Sequence, residues 1–255
     1  MGRLPIIVRA VALLLACSVA SGEELPSLRI GVTAGGAPMA FFDQHVLRGL
    51  EVDLARALAD AADSELQLQE MPRPRLIDAL RGGRIDLVLT TLPDTDLAAL
   101  GLVASEPLLR TGQMALIRAG DLPRFSRPVD IVTTSARAGY QRGSAGARFV
   151  QAQLPMAERV PVDDAGEGIA ALRAGDIDIF IHDATTVWAV AADPAEQQLL
   201  GIFQPLTDER LAWALRAEDE PLRRNVDFVI RNWRDSGRLA RLINRWIRIQ
   251  VEVGG

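Results

Sequence analysis

One segment of this chain occurs twice, and that repetition limits the fold more than any single residue does. Ile77-Asp78-Ala79-Leu80-Arg81-Gly82-Gly83-Arg84-Ile85-Asp86-Leu87-Val88-Leu89 returns as Ile169-Ala170-Ala171-Leu172-Arg173-Ala174-Gly175-Asp176-Ile177-Asp178-Ile179-Phe180-Ile181, an offset of 92 residues, from 77 to 169. In each copy, apolar residues at helical spacing run into a glycine stop, and the short apolar run that follows reads as a buried strand. The copies are far enough apart for each to belong to its own small α/β lobe. Two lobes imply a cleft between them.

Strand-like and helix-like runs alternate from residue 28 onward, which points to an α/β fold with mostly parallel strands in each lobe, flanked by helices. Strands are predicted at 28–33, 66–70, 85–89, 137–141 and 211–215, with helices at 51–62 and 74–81. Leu222, Val226, Val229, Ile230 and Trp233 fit one helical face, which Gly237 ends. Leu239, Ile243, Trp246 and Ile247 form a second stripe. Trp233 and Trp246 therefore read as packing residues.

In open α/β sheets, ligands bind beyond the carboxyl ends of the strands. That rule selects Thr33 and Ala34, Thr90 and Thr91, and His182 and Asp183. After strand 137–141 come Arg142-Gly143-Ser144-Ala145-Gly146, where small residues and a hydroxyl at a helix start expose backbone N–H groups to an anion. Glycine and serine also cap helices that hold no ligand. His182 beside Asp183 suggests a general acid–base pair, but adjacent strand residues point to opposite faces, so the two are not expected to share a site.

Composition removes several kinds of chemistry. The chain is 49% hydrophobic and 24% charged, so it folds rather than staying disordered. All 28 basic residues are Arg, which rules out lysine Schiff bases and a P-loop lysine. A net charge of −5 offers no basic face for nucleic acid. His45 and His182 have no spaced partner for a metal, and no cofactor is expected.

The first 22 residues read as an export signal. Arg3 and Arg9 precede a short apolar run, and Ala20-Ser21-Gly22 offers a cleavage site. Cys17 is the only cysteine, so disulfides and thiolate metal sites are excluded from the rest of the chain. Leu14-Leu15-Ala16-Cys17 resembles a bacterial lipobox; Cys17 is either acylated after cleavage or discarded with the signal.

The ordered set of pieces resembles the periplasmic solute-binding proteins of the polar amino-acid type (family 3), the capture subunits of ABC importers. These pieces are Leu28-Arg29-Ile30-Gly31-Val32, Gly49-Leu50-Glu51-Val52-Asp53-Leu54-Ala55, both repeat copies, Ser105-Glu106-Pro107, Gln141-Arg142-Gly143-Ser144, and Pro205-Leu206-Thr207-Asp208 before Leu211-Ala212-Trp213-Ala214-Leu215. The resemblance implies a type II periplasmic binding protein fold with the ligand between two lobes. Lobe one would hold residues 27–112 and 214–250 and lobe two residues 113–213, with crossings near 111–114 and 211–215. It also implies a periplasmic, monomeric protein serving an ABC permease or another periplasmic or membrane partner, with no catalysis.

Binding roles carry over unevenly. The resemblance gives Thr91 the family's hydroxyl for a ligand carboxylate, but Ala98 stands where an Arg normally clamps that group. Asp183 matches the acid that meets the ligand ammonium, and Ser144 lies at the helix start that supplies further carboxylate donors. Thr33 and Gly36 replace an acid and an aromatic, and Arg73 replaces another aromatic. Two readings stay open. Either Arg73, Arg75 or Arg142 supplies the missing cation from another direction, or the ligand lacks an α-carboxylate and Asp183 pairs with an amine or bonds hydroxyls. The predicted ligand-binding set is thus Thr33, Arg73, Thr90, Thr91, Arg142, Ser144 and Asp183. Two other classes use similar lobes. One comprises sensory or accessory proteins without a transport role; the other comprises cyclohexadienyl dehydratases, whose glutamate is not supplied by Asp183-Ala184-Thr185-Thr186.

Overall fold

The computed structural model describes residues 25–202 and 204–247. The expected export signal, with Cys17, lies outside the described residues.

The chain opens with β1 (Ser27–Val32), a small hairpin of β2 (Phe41–Asp43) and β3 (Val46–Arg48), and helix α1 (Leu50–Ala61). It continues through β4 (Glu65–Glu70), α2 (Arg73–Arg81), β5 (Leu87–Thr90), α3 (Asp94–Ala99), β6 (Leu102–Ala104) and β7 (Leu109–Thr111). A second series follows: β8 (Gln113–Arg118), α4 (Pro128–Val132), β9 (Arg137–Gln141), α5 (Ala145–Gln153), β10 (Glu158–Val162), α6 (Ala165–Ala174), β11 (Ile179–Asp183), α7 (Ala184–Ala191) and β12 (Leu199–Gly201). The chain then returns through β13 (Glu209–Arg216), α8 (Glu220–Asp235) and α9 (Arg238–Trp246).

Two sheets result. The first has the order β4-β1-β5-β13-β6, with β7 on the far end of β13; the second runs β10-β9-β11-β8-β12. Each contains a parallel trio of the kind the alternation predicts, extended by antiparallel strands. Ser27 pairs with Glu65 and Ile30 with Leu87 in the first trio; Arg137 pairs with Glu158 and Ile179 with Ala138 in the second. The antiparallel members are the strands the chain adds while crossing between sheets, β13 beside β5 and β8 beside β11. Sequence places the return strand at 211–215. It begins earlier, because Glu209 and Arg210 already pair with Thr111 and Arg110 of β7, so the return into the first sheet precedes Glu209.

The repeat is structural. Copy one forms α2 and β5, and copy two forms α6 and β11. Gly83 and Gly175 take left-handed φ values of 68° and 81° after their helices, which glycine adopts without a Cβ clash. A close approach is also repeated: a Cβ on Gly31 of β1 would collide with Ile85, and one on Gly139 of β9 with Ile177.

The carboxylates of the repeat hold each frame together. Asp86 accepts hydrogen bonds from the backbone N–H and side chain of Arg29, and Asp178 accepts the same set from Arg137. A second arginine joins each from the antiparallel strand. Arg216 donates to the Leu80 and Ile85 carbonyls and to Asp86, while Arg118 donates to the Leu172 and Ile177 carbonyls and to Asp178. These ties sit at the amino ends of the parallel strands, leaving the carboxyl ends free to line a site.

The first core packs Leu54, Leu58, Trp213, Ile230, Trp233 and Ile243 between the sheet, α1, α8 and α9. Trp246 packs on its edge, meeting Phe41 edge to face and donating to Asp53. Both tryptophans are packing residues, as their helical spacing predicts.

Candidate functional site

The carboxyl ends of the parallel strands from both sheets face one cavity of about 600 Å³. Strand β1 delivers Thr33, β5 delivers Thr90 and Thr91, and β11 delivers Asp183; the N-terminus of α2 brings Arg73, and the turn from β9 into α5 brings Arg142 and Ser144. All seven residues selected from sequence line this cavity. Helix α1 adds Glu51, and β7 adds Thr111.

Several of these side chains are already engaged. The Thr33 hydroxyl donates to the Met71 carbonyl at 2.7 Å, and the Thr90 hydroxyl accepts from the Leu92 N–H at 3.1 Å. Both shape the loops that follow their strands. Thr91 makes no such bond among the described residues, so its hydroxyl is free for a guest. Arg142 pairs with Asp163 at 2.8 Å across an exposed edge. Arg73 is exposed at the first turn of α2 and makes no ion pair among the described residues, which leaves its guanidinium unspent.

Ser144 is buried and caps α5: its Oγ accepts from the Ala147 N–H at 3.0 Å and donates to the Gln141 carbonyl at 2.7 Å. The first-turn amides of Ala145 and Gly146 have no intrahelical acceptor, and with the helix dipole they favour an anion. Ser144 thus organises an anion-binding turn more than it offers its own hydroxyl.

Asp183 precedes α7 but does not cap it; its Oδ1 instead accepts from Gln113 Nε2 at 2.8 Å. Gln113 is buried on β8, and its amide also lies 3.3 Å from Glu209 Oε1, which accepts from the Thr207 hydroxyl at 2.8 Å. The acid is therefore positioned by residues at both crossings between the sheets. His182 turns away from the cavity, as strand alternation requires. Its Nδ1 accepts from the Asp183 N–H at 2.9 Å and its Nε2 meets Gln141 Oε1 at 3.1 Å, so Nε2 carries the proton. Burial pushes its pKa down, and Asp183 opposes that shift. His182 and Asp183 do not form a shared acid–base pair facing a guest.

Sequence reading missed two contributors. Glu51 is only 8% exposed, and burial pushes its carboxyl up to about 8 against the pull of Arg73. Its signal was present: residues 51, 54, 55 and 58 form the buried stripe of α1, so an acid at 51 stands among Leu54, Ala55 and Leu58. Gln113 had no comparable signal, because its partners lie 70 and 96 residues away.

A second cavity of about 510 Å³ adjoins the first through Thr90, Thr91 and Leu92. Ala98 lines it, and Arg210 crosses it to pair with Asp94 at 3.0 Å. The space a clamping arginine at position 98 would use is therefore open. Among the described residues there is no group of three metal-ligating side chains, and no helix is long and apolar enough to cross a membrane.

Comparison with known proteins agrees with this geometry. The family model described as bacterial extracellular solute-binding proteins, family 3, matches residues 28–249. The ABC transporter glutamine-binding protein GlnH of Bacillus subtilis is 21% identical over 205 residues, covering 79% of this chain and 73% of that protein. Among solved structures, a putative ABC transporter binding component from Wolinella succinogenes, complexed with lysine, superposes with a TM-score of 0.80 at 23% identity, covering 88% of this chain and 97% of that one. The ancestral amino acid-binding protein AncCDT-1, a precursor of cyclohexadienyl dehydratase, gives 0.76 at 22% identity, covering 87% and 95%. Those two likenesses establish the two-lobed α/β fold.

Proposed function

The chain belongs to the bacterial extracellular solute-binding proteins, family 3, and from that premise we propose that it holds an amino acid or a related amine or organic acid between Thr91 and Ser144, with Asp183 opposite. Members of this family are exported binding proteins that capture a small polar solute between two lobes. Capture needs no bond-making: the solute favours the closed arrangement by its differential affinity for it, and an ABC permease reads the closed form. On this reading residues 1–22 direct export and the mature protein acts as a monomer.

The observation that carries the reading is the single cavity of about 600 Å³ that gathers a free threonine, an anion-favouring helix start, an unpaired arginine and a positioned carboxylate. This complement suits a zwitterion. Arg73 and the α5 amides face an anionic group, and Asp183 faces a cationic one. Ala98 favours a second reading, in which the lobes serve a sensory or accessory partner without transport, because the strongest carboxylate clamp is absent.

Thermal unfolding against a panel of amino acids, their decarboxylated amines and dicarboxylates tests both, after copurified solute is removed by unfolding and refolding. A solute at 100 times its Kd adds ~2.7 kcal/mol, which raises the midpoint by about 5–10 °C. A shift with amino acids supports capture through a substitute cation, and a shift with amines alone means that no α-carboxylate is read. A refolded native protein that responds to nothing in the panel favours the accessory reading.

A further inference from the structure

Glu51 is the one acid on the buried stripe of α1, and none of the roles described so far uses it. It is more than nine-tenths buried, and among the described residues no hydrogen bond or ion pair reaches its carboxyl. It nevertheless forms part of the cavity wall beside Thr33, Met39 and Arg73. A carboxyl so placed is costly to ionise until a cation arrives.

Its surroundings leave it available. Arg73 is the one charged group that acts on it, and it does so at range. The charges on the elements packed against α1 are engaged or exposed elsewhere: Arg29 of β1 with Asp86, Arg48 of β3 with Asp43, Arg245 of α9 with Asp53, Asp227 of α8 with the Glu106 N–H, and Glu65 and Glu70 of β4 in solvent. Across the cavity Arg142 holds Asp163, Asp164 caps α6, Asp183 is held by Gln113, and Arg148 lies on the rim.

We propose that Glu51 is a ligand-binding carboxyl that receives a second cationic group of the captured solute, an ammonium or guanidinium besides the one meeting Asp183, and releases one proton as it does so. This rests on the capture reading above. The O–H bond of the Glu51 carboxyl breaks, its carboxylate pairs with the solute cation, and the proton leaves to water; no other bond changes. Before capture, burial keeps the carboxyl protonated at neutral pH, with its pKa near 8. Cationic solutes are thus distinguished from neutral isosteres by the lobe-one side of the cavity, and their capture is linked to pH.

The test is calorimetric titration of the refolded, solute-free protein with L-arginine, whose guanidinium stays charged throughout, and with L-glutamine as the uncharged counterpart. Running each titration at pH 7 in phosphate and in Tris buffers counts the protons exchanged. L-arginine is expected to release about 0.9 proton per molecule bound and to bind about fivefold tighter at pH 8 than at pH 7. L-glutamine is expected to release none. Glu51→Gln, which keeps the side chain's size, should fold normally by thermal unfolding, bind L-arginine at least tenfold more weakly and abolish both the release and the pH slope. Burial holds His182 below its ordinary value, away from this window, so it does not mimic the signal.

Binding of L-arginine without proton release, release that persists in Glu51→Gln, or binding of L-glutamine alone overturns the proposal and leaves the capture reading intact. Binding of neither probe nor any other panel solute overturns the capture reading and the proposal with it.

Discussion

Asp178 repeats Asp86: each is gripped by an arginine near the start of its sheet's parallel trio and by a second arginine from the antiparallel strand, with matching acceptor atoms. The correspondence extends outward. Arg29 and Arg137 also donate to the helix-stop carbonyls of Gly83 and Gly175, and Arg216 and Arg118 each pair with an acid three residues on, Asp219 and Asp121. All four arginines, Arg29 and Arg216 in one sheet and Arg137 and Arg118 in the other, bond to the turn that the repeat encodes. The helix, its glycine stop and its strand are thereby fixed as one unit in each sheet.

Removing one carboxylate from such a knot takes from two guanidinium groups the acceptor they share. Asp178→Ala is expected to cost on the order of 2–4 kcal/mol, seen as a lower urea midpoint with an unchanged slope for the affected transition.

Acid should loosen the second sheet through the same residue. The Arg137 hydrogen bonds hold the Asp178 carboxyl down at about 2, below its ordinary 3.8. A depressed acid contributes stability that is present above its unfolded value and is lost as pH falls from about 4 towards 2. Urea midpoints measured between pH 5 and pH 2 should fall for the parent protein, with a smaller drop over that window for Asp178→Asn.

Glu51 acts in the opposite sense. Its raised carboxyl contributes stability that is complete below about pH 4.5 and is lost as pH climbs through 8. Glu51→Gln should be more stable than the parent at pH 8 by on the order of 4 kcal/mol, a rise of about 10 °C in the solute-free midpoint. The difference should close below pH 5.

Gln113 has no place in the cavity wall, yet it positions the acid that does. Gln113→Ala leaves Asp183 without its 2.8 Å donor, and amine binding should weaken about tenfold as the carboxylate wanders. Asp183→Asn should weaken it about 10- to 100-fold. Calorimetry on the two variants and their double mutant should show the losses to be less than additive.

The open space beside Thr91 invites a gain of affinity. Ala98→Arg fills the adjoining cavity with the guanidinium that the family resemblance assigns there. It should tighten binding of a solute bearing an α-carboxylate about tenfold, while leaving a decarboxylated amine unchanged. Equal effects on both would mean that the carboxylate does not face Thr91.

What was legible in the sequence was local or topological. The helix, glycine and strand of each repeat lie within a dozen or so residues; the strand-end rule then picked Thr33, Thr90, Thr91 and Asp183, the helix start after strand 137–141 added Arg142 and Ser144, and the family resemblance added Arg73, all without knowledge of any contact. Pairings remote in sequence were not legible. Nothing near Asp86 announces Arg29, which lies 57 residues away, and nothing in the apolar run 211–215 shows that Glu209 and Arg210 already belong to the sheet. Nor does sequence show that Thr33 and Thr90 spend their hydroxyls on the backbone. Glu51 falls between these cases. An acid early in a helix is ordinarily solvated, and only its phase with Leu54, Ala55 and Leu58 marks it as buried.

The placement of β13 between β5 and β6 also sets an order of assembly. The second sheet is contiguous in the chain, from β8 to β12, and has all its strands once residue 201 has emerged. The first begins earlier but lacks a central strand until residues 209–216 arrive, more than a hundred residues after β5. A chain delivered from its N-terminus therefore completes its middle before its beginning. Until then β5 presents an unpaired edge to the surroundings, the vulnerable interval for misassembly during export.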